Sequence, residues 1–548
     1  NIIKTHPEFN EFEGVKVSIP KTVVLCTDVF DQFMDNNNLY QLALSDAPDE
    51  EILQAFIKAQ LPGQFIDDFK TFFEAIRHPI AIRSSSLLED SHYQPFAGIY
   101  STYMIPYLDD KDEMLRMLAA AIKSVYASVY FKDSKAYMTA TRNVIDQEKM
   151  AVILQEVVGK QYGDHFYPNF SGVLRSINYY PLGYEKSEEG IASLALGLGK
   201  YIVDGGQTLR VSPYHPTQVL QTSDMEIALR QTQTQFYALD MKRVGVDFKV
   251  DDGFNILKLK VKDAENDGAL NFIASTYDAN DRVIRDGLYD GGRKIVSFNG
   301  VLRHGVFPLP ELLKLSMHHG ADSMRRPVEI EFACTLNDDR TGEFYLLQIR
   351  PIVDSKQVLD QDIMTIPDDK CLLRSHNSLG HGVSDDIVDV VYVKTDENFT
   401  ASDNPVVAME VERINKKFLA DGKNYVLVGP GSWGSRDSWL GVPVKWSQIS
   451  AAQLIVETTL KNYSVDPSQG THFFQNLTSF GVGYFAIDEN KGMGFFRKEI
   501  LDAMPAVEET PHVRHVRFSK PLHIMMDGMK QEGLVICDTE DAKGNDAR

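Results

Sequence analysis

The run MAVILQEVV, Met150–Val158, narrows the choice of folds more than any other stretch of this chain. Apart from Gln155 and Glu156 it is apolar throughout. A bilayer span takes about 18–20 apolar residues, so the run is too short for that. It is also too uniformly apolar for a strand with one wet face. It predicts a strand covered on both sides, and so layers of helix over sheet. Helical apolar spacing at Asp28–Met34, Asp49–Gln60, Asp112–Tyr130 and Pro308–His319 supplies the covering layers. Val15–Leu25 is β-branched but contains Pro20, which predicts an interrupted or edge strand. Ile80–Ile82 reads as a short strand running into a polar loop, and Val244–Val301 as β-hairpins closed by Asp-Gly and Asn-Gly turns.

These elements predict an α+β and α/β multidomain protein. At about 100–200 residues per domain, 548 residues suggest about three or four folding units. The expected division is a first domain over 1–353 with a β-rich insert at about 244–301, a polar, acidic linker at 354–369, a smaller α/β domain over 370–538, and a loose tail at 539–548. Charge excludes one broad function. Lys and Arg number 56 against 77 Asp and Glu, a net charge of −21, and so acidic a surface repels phosphate backbones. General nucleic-acid binding is therefore not expected, though a local basic pocket for a nucleotide is compatible with it. No apolar run approaches membrane-span length, so no membrane partner is expected. Four scattered cysteines without a CxxC pair fit a reducing, cytoplasmic setting. The chain opens on Asn1 with neither an initiator Met nor a signal-peptide pattern, as expected of a piece cut from a longer protein.

Chemistry concentrates in two strand-like segments flanking the turn NDDRTG. In a strand, residues two apart share a face, so Glu329 and Glu331 align, as do Gln348 and Arg350. Paired as a hairpin, they would offer two carboxylates, an amide oxygen and a guanidinium on one surface. Such oxygen donors suit Mg²⁺, and the guanidinium suits a phosphate. The same pattern also describes a solvated strand face with a cross-strand ion pair. A second segment, IAIRSSSLLEDSHYQPFAG, ends a strand in Arg83 and three serines, with Gly98 allowing close backbone approach. It reads as an oxyanion site or, through Ser84–Ser86, as a helix N-cap.

Together these segments resemble the nucleotide-binding domain shared by phosphoenolpyruvate synthase, pyruvate phosphate dikinase and rifampin phosphotransferase, a variant of the ATP-grasp fold. The resemblance rests on an ordered set: Arg83-Ser84-Ser85, Glu89-Asp90, Phe96-Ala97-Gly98, Thr102-Tyr103, the strand ending in Gln155, Ser171-Gly172-Val173, Gly197-Leu198-Gly199, Glu329-Ile330-Glu331 and Leu347-Gln348-Ile349-Arg350-Pro351. It implies a two-lobed domain binding ATP and Mg²⁺. Arg83 and Arg350 would contact phosphates, with Ser84 and Gly98 beside them. Glu331 and Gln348 would hold the metal, with Glu329 adjacent. Gln155, Glu156 and Val158 would belong to a hinge against adenine. Lys200 follows Gly-Leu-Gly where the family has an acidic residue, and the family's Gly-Gly-Lys segment is expected upstream of Asn1.

In that family a histidine on a mobile domain carries the phosphoryl group. Gln469-Gly470-Thr471-His472 resembles the carrier motif and would place His472 at a helix N-terminus, where a phosphoryl anion is favoured. The alternative is a structural histidine beside Phe473-Phe474; His376 and His381 sit in a polar loop. The loop GPGSWGSRDSW reads equally as an anion or sugar site stacked on Trp433 and Trp439, or as a rigid surface turn. The function implied is that of a dikinase-type phosphotransferase resembling phosphoenolpyruvate synthase, moving a phosphoryl group from ATP, through His472, to pyruvate or another small acceptor held upstream or on a separate domain. The competing reading is a regulatory ATP sensor that has lost phosphoryl transfer. An acyl-phosphate-forming ligase fits the Arg-Ser-Ser and Gln-x-Arg-Pro pair less well.

Overall fold

A computed structural model describes residues 2–86, 100–140, 148–178, 185–222, 225–242, 248–352, 363–395, 399–435, 439–459, 482–528 and 530–537. The chain is a mixed α/β, multidomain protein that divides into two compact units. One comprises Asn1–Asn178, Glu188–Val203 and Gln207–Ile352; the other comprises Tyr179–Ser187, Asp204–Gly206 and Val353–Arg548.

In the first unit, the proline within Val15–Leu25 has a larger consequence than an interruption. Proline has no N–H to give a ladder. The chain turns at Pro20, whose carbonyl accepts from the Thr22 hydroxyl at 2.9 Å. The two halves then join different sheets. β1 (Val15–Ser18) runs parallel to β17 (Gly342–Pro351). β2 (Thr22–Leu25) pairs with β5 (Met150–Glu156). β5 in turn pairs with β3 (Ile80–Ser86), which carries β4 (Tyr103–Ile105) on its outer edge. The serines expected in a loop after Ile82 therefore continue the strand. The β5 run is not buried on both faces either. Met150, Val152 and Leu154 are buried, whereas Ala151 and Ile153 are half-buried. Helix Lys111–Ser128 packs on this sheet. Asp110 caps it by accepting from the amides of Asp112 and Glu113 at 3.0 and 3.1 Å. The helical segment Lys111–Ala136 is long and apolar enough to pass for a membrane span, but 72% of its apolar window is buried inside the fold, as in a core helix.

The larger sheet orders β1, β17, β16 (Val328–Leu336), β8 (Phe170–Arg175), β9 (Ile191–Ala195) and β10 (Leu209–Val211). Behind it, Phe170, Leu174, Phe307, Leu312, Phe332 and Phe344 share one apolar core. Each such side chain contributes about 1.5–3 kcal/mol on burial. The core is tight at Gly172, where an added Cβ would lie 2.2 Å from the Phe332 ring.

The region expected to be hairpins is one only in part: β13 (Ala274–Asp278) and β14 (Val283–Asp286) pair as an antiparallel hairpin across residues 279–282, and the rest resolves differently. β12 (Ile256–Lys260) pairs with β11 (Gln235–Asp240). β13 lies between β14 and β15 (Arg293–Val296), so the Asp-Gly segment crosses over a strand instead of turning a hairpin. Asn299-Gly300 opens the helical turn Asn299–Leu302. Its glycine is required by the Phe272 carbonyl oxygen, 2.3 Å from where a Cβ would sit.

The second unit holds a seven-stranded sheet. Four adjacent parallel strands form its middle: β21 (Asp389–Val393), β22 (Tyr425–Pro430), β23 (Ala452–Thr458) and β24 (Gly483–Ile487). Uniformly buried strands of this kind require a covered sheet. A five-stranded antiparallel sheet completes the unit, with Leu373, Tyr392, Val426, Phe485 and Val535 in its core.

Candidate functional site

The register of the first unit brings the chemistry together. β16 and β17 close an antiparallel hairpin in which Glu329 faces Arg350 and Glu331 faces Gln348. On β3 and β5, Ala81 opposes Gln155 and Arg83 opposes Ile153, so Arg83 and Gln155 share the half-buried face. Arg83 reaches out from that face. Its Nη1 donates to Gln155 Oε1 at 3.2 Å, and its Nη2 to Gln348 Oε1 at 2.5 Å and Glu331 Oε2 at 3.4 Å. Arg350 Nη2 donates to the same Gln348 oxygen at 2.9 Å. Gln155 is held from its other end, donating Nε2 to the Leu347 carbonyl at 3.3 Å. Two guanidinium groups thus converge on oxygens drawn from two sheets.

Other expected residues fall elsewhere. The side chain of Ser84 lies on the opposite face of β3 from Arg83 and is buried, by the alternation that exposes Arg83. Glu329 is already engaged: Arg175 on β8 holds its Oε2 at 2.7 Å through Nε and 2.6 Å through Nη2, with both side chains largely buried. In the hinge segment, the Glu156 amide donates to Lys21 O and the Val157 amide to Pro79 O, so neither amide is open to a base. Val157 and Val158 are buried, and a cavity of about 400 Å³ lined by His78, Pro79, Gly159, Lys160 and Phe166 opens alongside. Gly98 and His472 lie outside the described residues, as do Glu89, Asp90 and Phe96. His376 is tied to Glu532 at 2.8 Å.

Two residues not singled out in the sequence tie the motif segments together. Arg175 belongs to SGVLR, and its signal was the period of two from Ser171 through Val173. Asp252, taken for part of a hairpin turn, accepts from the Thr102 amide at 2.9 Å and from Lys200 Nζ at 3.2 Å. It thereby joins the Thr-Tyr and Gly-Leu-Gly segments. Gly197 in the latter needs its left-handed φ of +87°, and a Cβ there would lie 2.6 Å from the Tyr237 carbonyl oxygen. In the second unit, Trp433 is no open stacking platform. It is 1% exposed, and its amide donates to the buried Glu457 at 2.9 Å. Trp439 is 71% exposed, and Arg436 lies outside the described residues.

Guanidinium donors set against carboxylate and amide oxygens have the chemistry of a site for a polyanion and its counter-cation. Residues 8–370 match the AMP/ATP-binding domain of pyruvate phosphate dikinase, and the chain belongs to that family. It is also similar to the uncharacterized phosphotransferase YvkC of Bacillus subtilis (strain 168), 26% identical over 190 residues, which cover 35% of this chain and 20% of that protein. The chain therefore matches only about a fifth of that relative's length.

Proposed function

We propose that this chain is a dikinase-type, ATP- and Mg²⁺-dependent phosphotransferase working in the cytoplasm, with ATP bound in a cleft between two lobes of its first unit. The observation that carries the reading is the convergence of Arg83 and Arg350 on Gln348 Oε1, with Glu331 beside it. Arg83 and Arg350 bind the phosphate chain, their planar forks matching two oxygens each. Gln155 orients Arg83, and Arg175 holds the largely buried Glu329, whose carboxylate steadies the neighbouring donors more than it binds a metal. The oxygens of Glu331 and Gln348 fit a hard cation: they already accept from one cationic nitrogen, Arg83 Nη2. When bound there, Mg²⁺ supplies neutralisation of phosphate charge. The half-buried face of Ala151 and Ile153 offers apolar surface to a base. His472 is the proposed phosphoryl carrier, and a pyruvate-like molecule on another domain the acceptor.

The test is incubation of the full-length protein with β- and γ-labelled ATP and Mg²⁺. Label should appear on the protein, stable to alkali and labile to acid, and vanish in His472→Ala. A variant that labels as well as the parent removes His472 from the reaction. Saturable ATP binding without AMP or ADP release under any acceptor establishes the sensor reading instead.

A further inference from the structure

A second constellation lies behind the sheet that carries Glu331 and Gln348. His6, Glu8 and His319 place one ligand atom each within 4.8 Å of one another. The imidazoles of His6 and His319 stack with centroids 3.6 Å apart, and His319 Nε2 lies 4.0 Å from Glu8 Oε1. Glu8 is 45% exposed as a side chain, but its Oε2 is turned inward, shielded from solvent and without a hydrogen-bond partner. Shielding a carboxylate oxygen without a partner is costly, and a cation is one way of removing that cost. Burial fixes the geometry from one side: the His319 side chain is only 11% exposed and lies against the buried Phe9 ring at 5.8 Å. From the other side, Pro7 stiffens the short turn that sets His6 and Glu8 two residues apart.

We infer that His6, Glu8 and His319 form a binding site for a borderline transition-metal ion of the Zn²⁺ class. Two imidazole nitrogens and one carboxylate make the three-ligand set that such an ion accepts, with water as the fourth ligand; Mg²⁺ prefers oxygen alone. The ion would fasten the Ile2–Asn10 segment to helix Leu309–Met324. That helix bears on the candidate nucleotide sheet directly. A Cβ on Gly320 would lie 2.9 Å from Ile349 Cδ1 and 3.2 Å from Ile330 Cδ1. Ile330 and Ile349 alternate with Glu329, Glu331, Gln348 and Arg350 along their strands. Stacked rings point their in-plane lone pairs side by side, so binding one ion through both requires the partly exposed His6 to turn off the stack toward Glu8; none of this depends on the nucleotide reading.

Chelator-treated full-length protein should bind one equivalent of Zn²⁺ by calorimetric titration and unfold at a higher temperature with it. Co²⁺ should give the visible absorption of a low-coordinate site, and Mg²⁺ should do neither. Glu8→Gln and His6→Ala alter partly exposed side chains that the fold tolerates, and each should weaken Zn²⁺ binding by more than about ten-fold. His319→Ala should abolish the tight equivalent. The inference is overturned by the absence of a stoichiometric site, or by parent-like affinity in both Glu8→Gln and His6→Ala.

Discussion

Arg83 illustrates how far single residues can be read. It follows an apolar strand, and its type alone points to an anion; only the pairing of β3 with β5 shows that it shares a face with Gln155 while Ser84 turns inward. Glu329, Glu331, Gln348 and Arg350 were legible because one turn fixes the register of two adjacent strands. Arg175 was not, because the period of two from Ser171 gives only its face, and the pairing with distant β16 that sets it opposite Glu329 is not written locally. The second unit holds a comparable buried charge. Asp389 is 1% exposed and accepts from His515 at 2.7 Å and from Arg517 at 2.7 and 3.2 Å. Burial pushes its carboxyl up, but the hydrogen bonds and charges of His515 and Arg517 outweigh that and hold it below the usual carboxylate range. A depressed folded-state pKa contributes stability that is present above the unfolded value, about 3.9, and lost as pH falls through the folded one. Asp389→Asn should therefore destabilise the protein by about 3 kcal/mol near neutral pH, toward the low end for a broken buried pair because Arg517 is 42% exposed. Urea denaturation at about pH 7 and about pH 3.5 checks this, and the gap between parent and variant should shrink at the lower value.

Elements were legible where local chemistry and tertiary context agree. The helices at Thr27–Asn36, Asp49–Lys58 and Leu309–Met324 follow their apolar spacing, and Pro20 broke the strand it was expected to break. Context prevailed elsewhere. The apolar run of β5 predicted two covered faces, yet the face that Ala151 and Ile153 share with Arg83 is only half-buried. Asn299-Gly300 has the composition of a hairpin turn but starts a helix, because a close backbone approach, not a turn, demands the glycine. Gly172 carries the same lesson with a measurable consequence. Ala at this position would press its Cβ into the Phe332 ring across the β8–β16 pair, and overpacking of this kind costs about 1–3 kcal/mol. Thermal unfolding of Gly172→Ala should show a lowered midpoint, whereas unchanged stability would mean that β16 shifts freely.

At the scale of the molecule, charge and composition set only expectations about partners, and an ordered series of short motifs told which family the chain joins. No single motif had that reach. The family match over residues 8–370 spans most of the first unit, whereas the buried parallel strands of the second lie beyond it. The central claim is that Arg83, Glu331 and Gln348 form the phosphate and metal end of an ATP site. Titration of the protein with ATP in the presence of Mg²⁺, followed by calorimetry, tests it most directly. Saturable binding that weakens by more than about ten-fold, about 1.4 kcal/mol, in both Arg83→Ala and Glu331→Gln is the predicted result. Parent-like affinity in both variants would contradict it.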